Sequence, residues 1–353
     1  MESAADDVSE TTHAGLMTPD LDVGVTPGVF RHANLVSEVR RLNLYVAQGL
    51  QIFFVLGFSP LLKGIMERYR ARVAGRHGPP VWQPYRDLWK WSHKETVRSH
   101  ETSFISEWAP IAYFIAPLLV AMLIPVLTAF PLPFAWMGDM LAGGMILGAG
   151  GVALLLAALD SGSVYPALGV SRIRLIAAFT EPLSLLLVFI AASAAKTTIP
   201  FIVNQTLSAP SWLFTPAHLF IVVGWFLLLL AEAGRIPVDN PSTSQELSMI
   251  DPARTFESSG TDLVLYEWGG WMKFLILSVI LCNVLATPWG LAGSSHWQSM
   301  LEAVGATAFK TTVLGLAVIS FEAGFAKLRL IRNVDFLMAA IALAALGGLV
   351  ANL

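Results

Sequence analysis

The chain has 353 residues, 55% of them hydrophobic and 13% charged, with a net charge of −3 and a mean hydropathy of +0.63. A soluble domain carries roughly a quarter charged residues, so the composition excludes one and predicts an all-α polytopic membrane protein. The lack of a basic surplus argues against a nucleic-acid partner, and the lone Cys282, inside an apolar run, leaves no internal disulfide and no Cys/His spacing of the metal-ligand kind.

Residues 1–43 read as a polar arm carrying Asp6, Asp7, Asp20 and Asp22. The arm lacks the charged-then-apolar plan of a cleaved signal and ends in a short amphipathic lead-in around 35–42. Apolar runs follow at about 44–66, 108–130, 136–159, 173–195, 213–232, 270–290, 303–325 and 334–352, most of them reaching the roughly 20 residues that cross hydrocarbon. The expected organisation is therefore an arm at 1–43 and an eight-helix transmembrane domain at 44–353, with long loops at about 67–107 and 232–269. Pro60 predicts a kink in the first helix. Gly143, Gly144, Gly148, Gly150 and Gly151 predict close helix packing in the third. Asp139, at the outer boundary of that helix, reads as interfacial.

Of the 22 lysines and arginines, 17 fall in segments 63–107, 172–174, 235–273 and 327–332, which are alternate connections. Short basic loops stay cytoplasmic, so the long loops belong inside and both termini on the periplasmic side. Charged loops of that length suggest a docking surface for a soluble partner.

Hydrocarbon admits ionisable groups only where they face protein or water. The fifth run ends in the cluster from Ala231 to Pro241, where Glu232 and Arg235 are three apart, share a helical face and can pair, before Pro237 ends the regular structure. That cluster is either an interfacial ion pair or the entrance carboxylate of a proton path with its charge partner. Glu181 lies in the first half of an apolar helix, where it is either tied to Arg172 and Arg174 or exchanges protons. Glu267 and Lys273 flank the start of the sixth run, and Asp160 closes the third. Glu322 fits a salt bridge with nearby Lys327 or Arg329. Lys310, twelve residues before Glu322 and thus roughly 18 Å away along a helix, is too far to pair with it and is placed to snorkel outward.

In the first long loop the pattern Arg76, Gly78, Pro79, Gln83, Pro84, Asp87, Lys90 resembles the first cytoplasmic loop of the complex I subunit 1 family. The fifth-helix loop matches the same family through Glu232, Arg235, Pro237, Val238, Asp239, Glu246 and Leu247. Within it, Asp239-x-Pro241-x-Thr243 with Glu246-Leu247, Asp160-Ser161-Gly162 and Phe321-Glu322 followed by Ala326-Lys327-Leu328-Arg329 look like the membrane subunits of group 4 energy-converting nickel–iron hydrogenases and formate hydrogenlyase.

The resemblance implies a membrane subunit of a bacterial or archaeal cytoplasmic membrane complex, without a redox centre of its own. It would couple electron transfer in a docked module to ion translocation. Iron–sulfur clusters and a nickel–iron centre would sit in partner subunits, namely soluble hydrogenase-like large and small subunits on the cytoplasmic side, beside antiporter-like membrane subunits in the bilayer. Glu232, Glu181, Glu267, Asp160, Lys273 and Glu322 are then the proton-pathway residues. Arg235, Pro237, Asp239, Glu246, Arg76, Gln83, Asp87 and Lys90 are the docking or quinone-like site. Two other readings stay open: a quinone-site subunit of complex I with a quinone near Arg235, and a stand-alone secondary ion transporter.

Overall fold

The computed structural model describes the chain apart from residues 1–26, 100–101, 214, 240–248, 287–288, 295 and 352–353, with side chains described from residue 43 onward except at 136, 210 and 211. Met1–Leu42 and Asn43–Leu353 are separate units. The first contributes the opening turns of helix α1, Pro27–Val73. In the second follow α2 (Gln83–Ser92), α3 (Ile105–Leu123), α4 (Met140–Asp160), α5 (Val164–Ala195), α6 (Pro200–Leu207), α7 (Pro210–Leu213), α8 (Pro216–Glu232), α9 (Gly260–Val279), α10 (Trp297–Gly324) and α11 (Leu330–Ala351).

Among the described residues, seven helices are long and apolar enough to cross a membrane, and the remaining expected span is the shorter, 17-residue α8. The all-α membrane architecture expected from composition is therefore what the chain adopts. The span Gly260–Ala286 is the central one: 78% of its apolar window is buried, against 22–44% for the others. It consists of α9 continued by a π-helical turn, Ile280–Ala286. Around it α3 packs on α4 and α9, and α11 packs on α8 and α5.

Prolines decide how α1 and α3 meet this centre. Pro60 has no N–H to offer the carbonyl four residues back, and that carbonyl, Leu56 O, instead accepts from the Trp268 indole of α9 at 3.2 Å. The next carbonyl, Gly57 O, accepts from the Tyr85 hydroxyl of α2. The backbone defect in α1 thus becomes its attachment to two neighbours. In α3 the apolar run continues past the helix, which is why hydropathy extended the span to 130. The helix stops at Leu123 because Ile124 precedes Pro125 and is pushed to extended backbone, with ψ 155°.

Irregular backbone at membrane depth is tolerated only where protein satisfies it, and the segment after α3 meets that condition residue by residue. Gln51 donates to Ala121 O and Ile124 O and accepts from Leu127 N at 3.3 Å. Ala129 N donates to Ala292 O at 3.0 Å, and Ala292 N returns to Leu127 O at 2.8 Å. Asn283 and Thr307 both donate to Val126 O, at 2.7 and 3.3 Å.

Of the five glycines expected to pack closely in the third helix, Gly150 and Gly143 do so. A Cβ at these positions would stand 2.8 Å from Ala116 Cβ and 3.6 Å from Val120 respectively, while Gly144, Gly148 and Gly151 have nothing within 4 Å. Asp139 caps α4 by accepting from Leu141 N at 2.8 Å.

Gly64 faces the Val81 carbonyl so closely that any Cβ there collides with backbone, whereas Gly49 of the same helix has open space. Gly64→Ala should therefore destabilise the detergent-solubilised protein by about 1–3 kcal/mol, the usual cost of overpacking. Gly49→Ala should be neutral or stabilising by up to about 1 kcal/mol through helix propensity. Paired thermal-unfolding curves check both.

Candidate functional site

A cavity of about 230 Å³ opens between α1, α3, α8, α9 and the loop after α8, lined by Lys63, Arg235, Arg254 and Lys273 on the cationic side and Glu232, Asp251 and Glu267 on the anionic side, with Ser59, Tyr113, Tyr266, Trp271 and Phe274 among them. Four cations thus face three carboxylates.

Its inner wall is the pair between α8 and α9. Lys273 Nζ donates to Glu232 Oε2 at 2.7 Å, and Glu232 Oε1 accepts from Thr180 Oγ1 of α5 at 2.6 Å. The two side chains stay 20% and 25% accessible and both line the cavity, so the pair is open on one face and packed on the other. The sequence expectation paired Glu232 with Arg235 instead. The structure separates them because α8 ends at Glu232 and Gly234, at φ +55°, turns the chain. Only glycine takes that conformation at low cost.

Arg235 is 6% exposed, lies over the Phe274 ring at 5.4 Å and approaches Glu322 Oε1 at 3.7 Å. Glu322 Oε2 accepts from Arg70 at 2.6 Å, while its Oε1, with no hydrogen bond, is left to the charge of Arg235. Glu322 therefore pairs with Arg70 and Arg235, not with its sequence neighbours Lys327 or Arg329. Burial pushes the Arg235 guanidinium down to about 10, with the Glu322 carboxylate opposing; it remains a full cation at neutral pH.

The loop after α8 is held by Asp239, 1% exposed. Its Oδ1 takes Lys327 Nζ at 2.7 Å, and its Oδ2 takes Asp251 N and Ile250 N at 2.8 and 3.2 Å. Pro237 O accepts from Leu328 N at 2.9 Å. Asp239 thereby fixes the backbone at Asp251, which lines the cavity.

Sequence reasoning missed Arg254, Asp251, Tyr113 and Tyr266. Arg254 is paired to Asp251 and meets the Tyr113 hydroxyl, and burial lowers its pKa against the pull of Tyr113 and Glu232. The i, i+3 spacing of Asp251 and Arg254 was a readable signal. Tyr113 carried none, because its place depends on Gly269, where a Cβ would stand 2.8 Å from its ring. Tyr113 and Tyr266 meet edge to face at 5.8 Å.

The other expected site residues fall elsewhere. Asp160 accepts from Ser103 N at 2.8 Å and Ser106 Oγ at 2.6 Å, and so caps the start of α3. Glu181 is exposed on α5; Arg172 donates to Met249 O at 2.9 Å and Arg174 is exposed. On α2, Gln83 donates to Asp87 at 2.8 Å, while Arg76 and Lys90 are exposed. Glu246 and Leu247 lie outside the described residues. Among the described residues no group of three or more His, Cys, Asp or Glu is arranged to hold a metal.

The model of the NADH dehydrogenase family matches residues 47–352. Formate hydrogenlyase subunit 4 of Escherichia coli (strain K12) is 29% identical over 283 residues, covering 80% of this chain and 90% of its own. Hydrogenase-4 component C of the same organism is 28% identical over 264 residues, covering 75% and 82%. Among solved structures, a chain of the membrane-bound sulfane sulfur reductase, an archaeal respiratory membrane complex, shares the fold with a TM-score of 0.75 at 20% identity, covering 87% of this chain and 99% of that one.

Lys273→Met would leave the Glu232 carboxylate buried with only Thr180 as partner, and removing one member of such a pair is strongly destabilising. Allowing for the cavity's water, a loss of about 2 kcal/mol is expected. The double variant Glu232→Gln/Lys273→Met should recover most of it. Unfolding midpoints of the two single variants and the double variant form the cycle that checks this.

Proposed function

The chain belongs to the NADH dehydrogenase family, that of complex I subunit 1, and we propose that it couples electron transfer in a docked hydrogenase-like module to proton translocation. It is a membrane subunit of the complex I-like and group 4 hydrogenase type of respiratory assembly, in a cell membrane that it crosses many times. The observation that carries the coupling reading is the cavity beside the partly accessible Glu232–Lys273 pair.

A cavity of about 230 Å³ falls short of the roughly 300–1,000 Å³ of pockets that enclose drug-sized ligands, yet it has room for several waters at about 30 Å³ each. Its lining of alternating cations and carboxylates suits a proton vestibule better than the largely apolar slot that a quinone ring requires. Iron–sulfur clusters and a nickel–iron centre belong to soluble large and small partner subunits seated on the cytoplasmic loops, which include α2 and the segment held by Asp239 and Lys327.

A charge change in that module alters the field on Arg235 and Arg254, which line the cavity, and on Glu322, which is paired to Arg235. A shift in that field releases or loads a proton on Glu232, since its hold on the carboxylate depends on where the Lys273 ammonium lies. Glu267 is the second carboxylate of the vestibule. Glu181 lies about midway along the 32-residue α5 and faces outward. A carboxylate at that depth is costly against lipid, which supports an antiporter-like membrane subunit covering it and receiving the proton.

Glu232→Gln and Glu181→Gln, each in the intact complex reconstituted into vesicles, should lower the rate of proton-gradient formation by about a hundredfold, the usual worth of a positioned proton-transfer group. Assembly should be intact by size-exclusion chromatography. Full gradient formation in both variants would remove the carboxylate path.

A further inference from the structure

At the end of the bundle remote from the cavity, Lys310 departs from the expectation that it snorkels. It is 6% exposed and its ammonium points inward, donating to Asn283 Oδ1 at 2.9 Å and to the Trp289 carbonyl. It also lies 4.7 Å from the centre of the Trp289 ring. These described partners are neutral.

Asn283 occupies the middle of the π-helical turn Ile280–Ala286. Lysine has only donors, so the amide oxygen must face Lys310 and the amide N–H₂ must face away. That group reaches Val126 O at 2.7 Å and Thr307 Oγ1 at 3.4 Å. Thr311, one turn further along α10, donates to Thr307 O at 2.7 Å. All three polar side chains, Asn283, Thr307 and Thr311, are completely buried. Asn204 of α6 holds the turn from the other side through Asn283 O. Cys282 is the titratable group that bears on Lys310 from the π turn, and His296 and Glu302 nearby in sequence are exposed.

Two features point to exchange with the outside. The Trp289 indole that lies over the amine is itself 58% exposed, so this cover of Nζ reaches the surface. Lys273 and Asn283 stand ten residues apart on one continuous rod, roughly 15 Å at helical rise, so the vestibule pair and the Lys310 clamp are carried by the same element.

We propose that Lys310 is the proton-exchange group on the side of the membrane opposite the vestibule, with Asn283 as its inward contact and the Trp289 indole as its cover. The proposal rests on the coupling reading above. In the step, the ammonium gives one proton to water beyond Trp289 and becomes a neutral amine, and the amine then takes one proton from a water that enters when the Asn283–Thr307 contact, closed at rest, opens. Lysine suits this because its ammonium can become an amine, whereas a guanidinium stays charged.

The test uses the intact complex in vesicles. Lys310→Arg keeps the cation and its donors but cannot cycle, so both Lys310→Arg and Lys310→Met should slow proton-gradient formation about a hundredfold. Wild-type rates in assembled Lys310→Arg would assign the residue a fixed structural charge and overturn the proposal. If the wild-type complex moves protons and the variant does too, only this inference falls; if the wild type moves none, the coupling reading falls with it. Independently of assembly in the Lys310 variants, a water-soluble amine-acylating reagent added to the outer side of the wild-type complex should label Lys310, and more so after Trp289→Ala. Absence of label from both would also overturn it.

Discussion

A lysine and a glutamate joined at 2.7 Å between α9 and α8 set the terms for the rest of this chain. Neither side chain survives alone at that depth, since each isolated charge would cost several kcal/mol. Around the pair the fold arranges what it needs: Thr180 on the second carboxylate oxygen, an open cavity on one side and the apolar centre of α9 on the other. The remaining charges follow the same logic. Arg235 is matched to Glu322 and Arg70 to the same carboxylate, and Lys327 is matched to Asp239, so each of these carboxylates meets a cation from a distant part of the chain.

The central rod owes its order to polar contacts made where backbone regularity fails. Leu56 O, orphaned by Pro60, is taken by Trp268, and Val126 O, in the irregular stretch after α3, is taken by Asn283 and Thr307. In water these carbonyls would have been solvated. In hydrocarbon they instead fix which helices touch.

The architecture was legible because hydropathy reports on single helices. Helix boundaries were less so: α3 stops at Ile124 although its apolar run continues, and α9 begins at Gly260, ten residues before the apolar run does. Glu232, Lys273 and Glu267, expected on the proton path, and Arg235, expected at the docking or quinone-like site, line one cavity; each was noticeable because charges in apolar sequence stand out. Their partners were not, because pairing depends on which helices neighbour one another, and local spacing suggested Glu232 with Arg235 where the fold makes Lys273 the partner. Tyr113 was invisible for the same reason, its position being granted by a glycine on another helix.

The brevity of α8 bears on how a membrane voltage is felt. Its 17 residues rise about 25 Å, less than the roughly 30 Å of a bilayer's hydrocarbon, and the cavity opens beside its last residue, Glu232. Along a helix this short a potential falls over a shorter distance than across a full hydrocarbon thickness. Moving one elementary charge through the whole drop is worth about 2.3 kcal/mol per 100 mV. For the coupling proposed above, a charge that moves along α8 from Glu232 crosses that drop over a shorter path than a full-length helix would give.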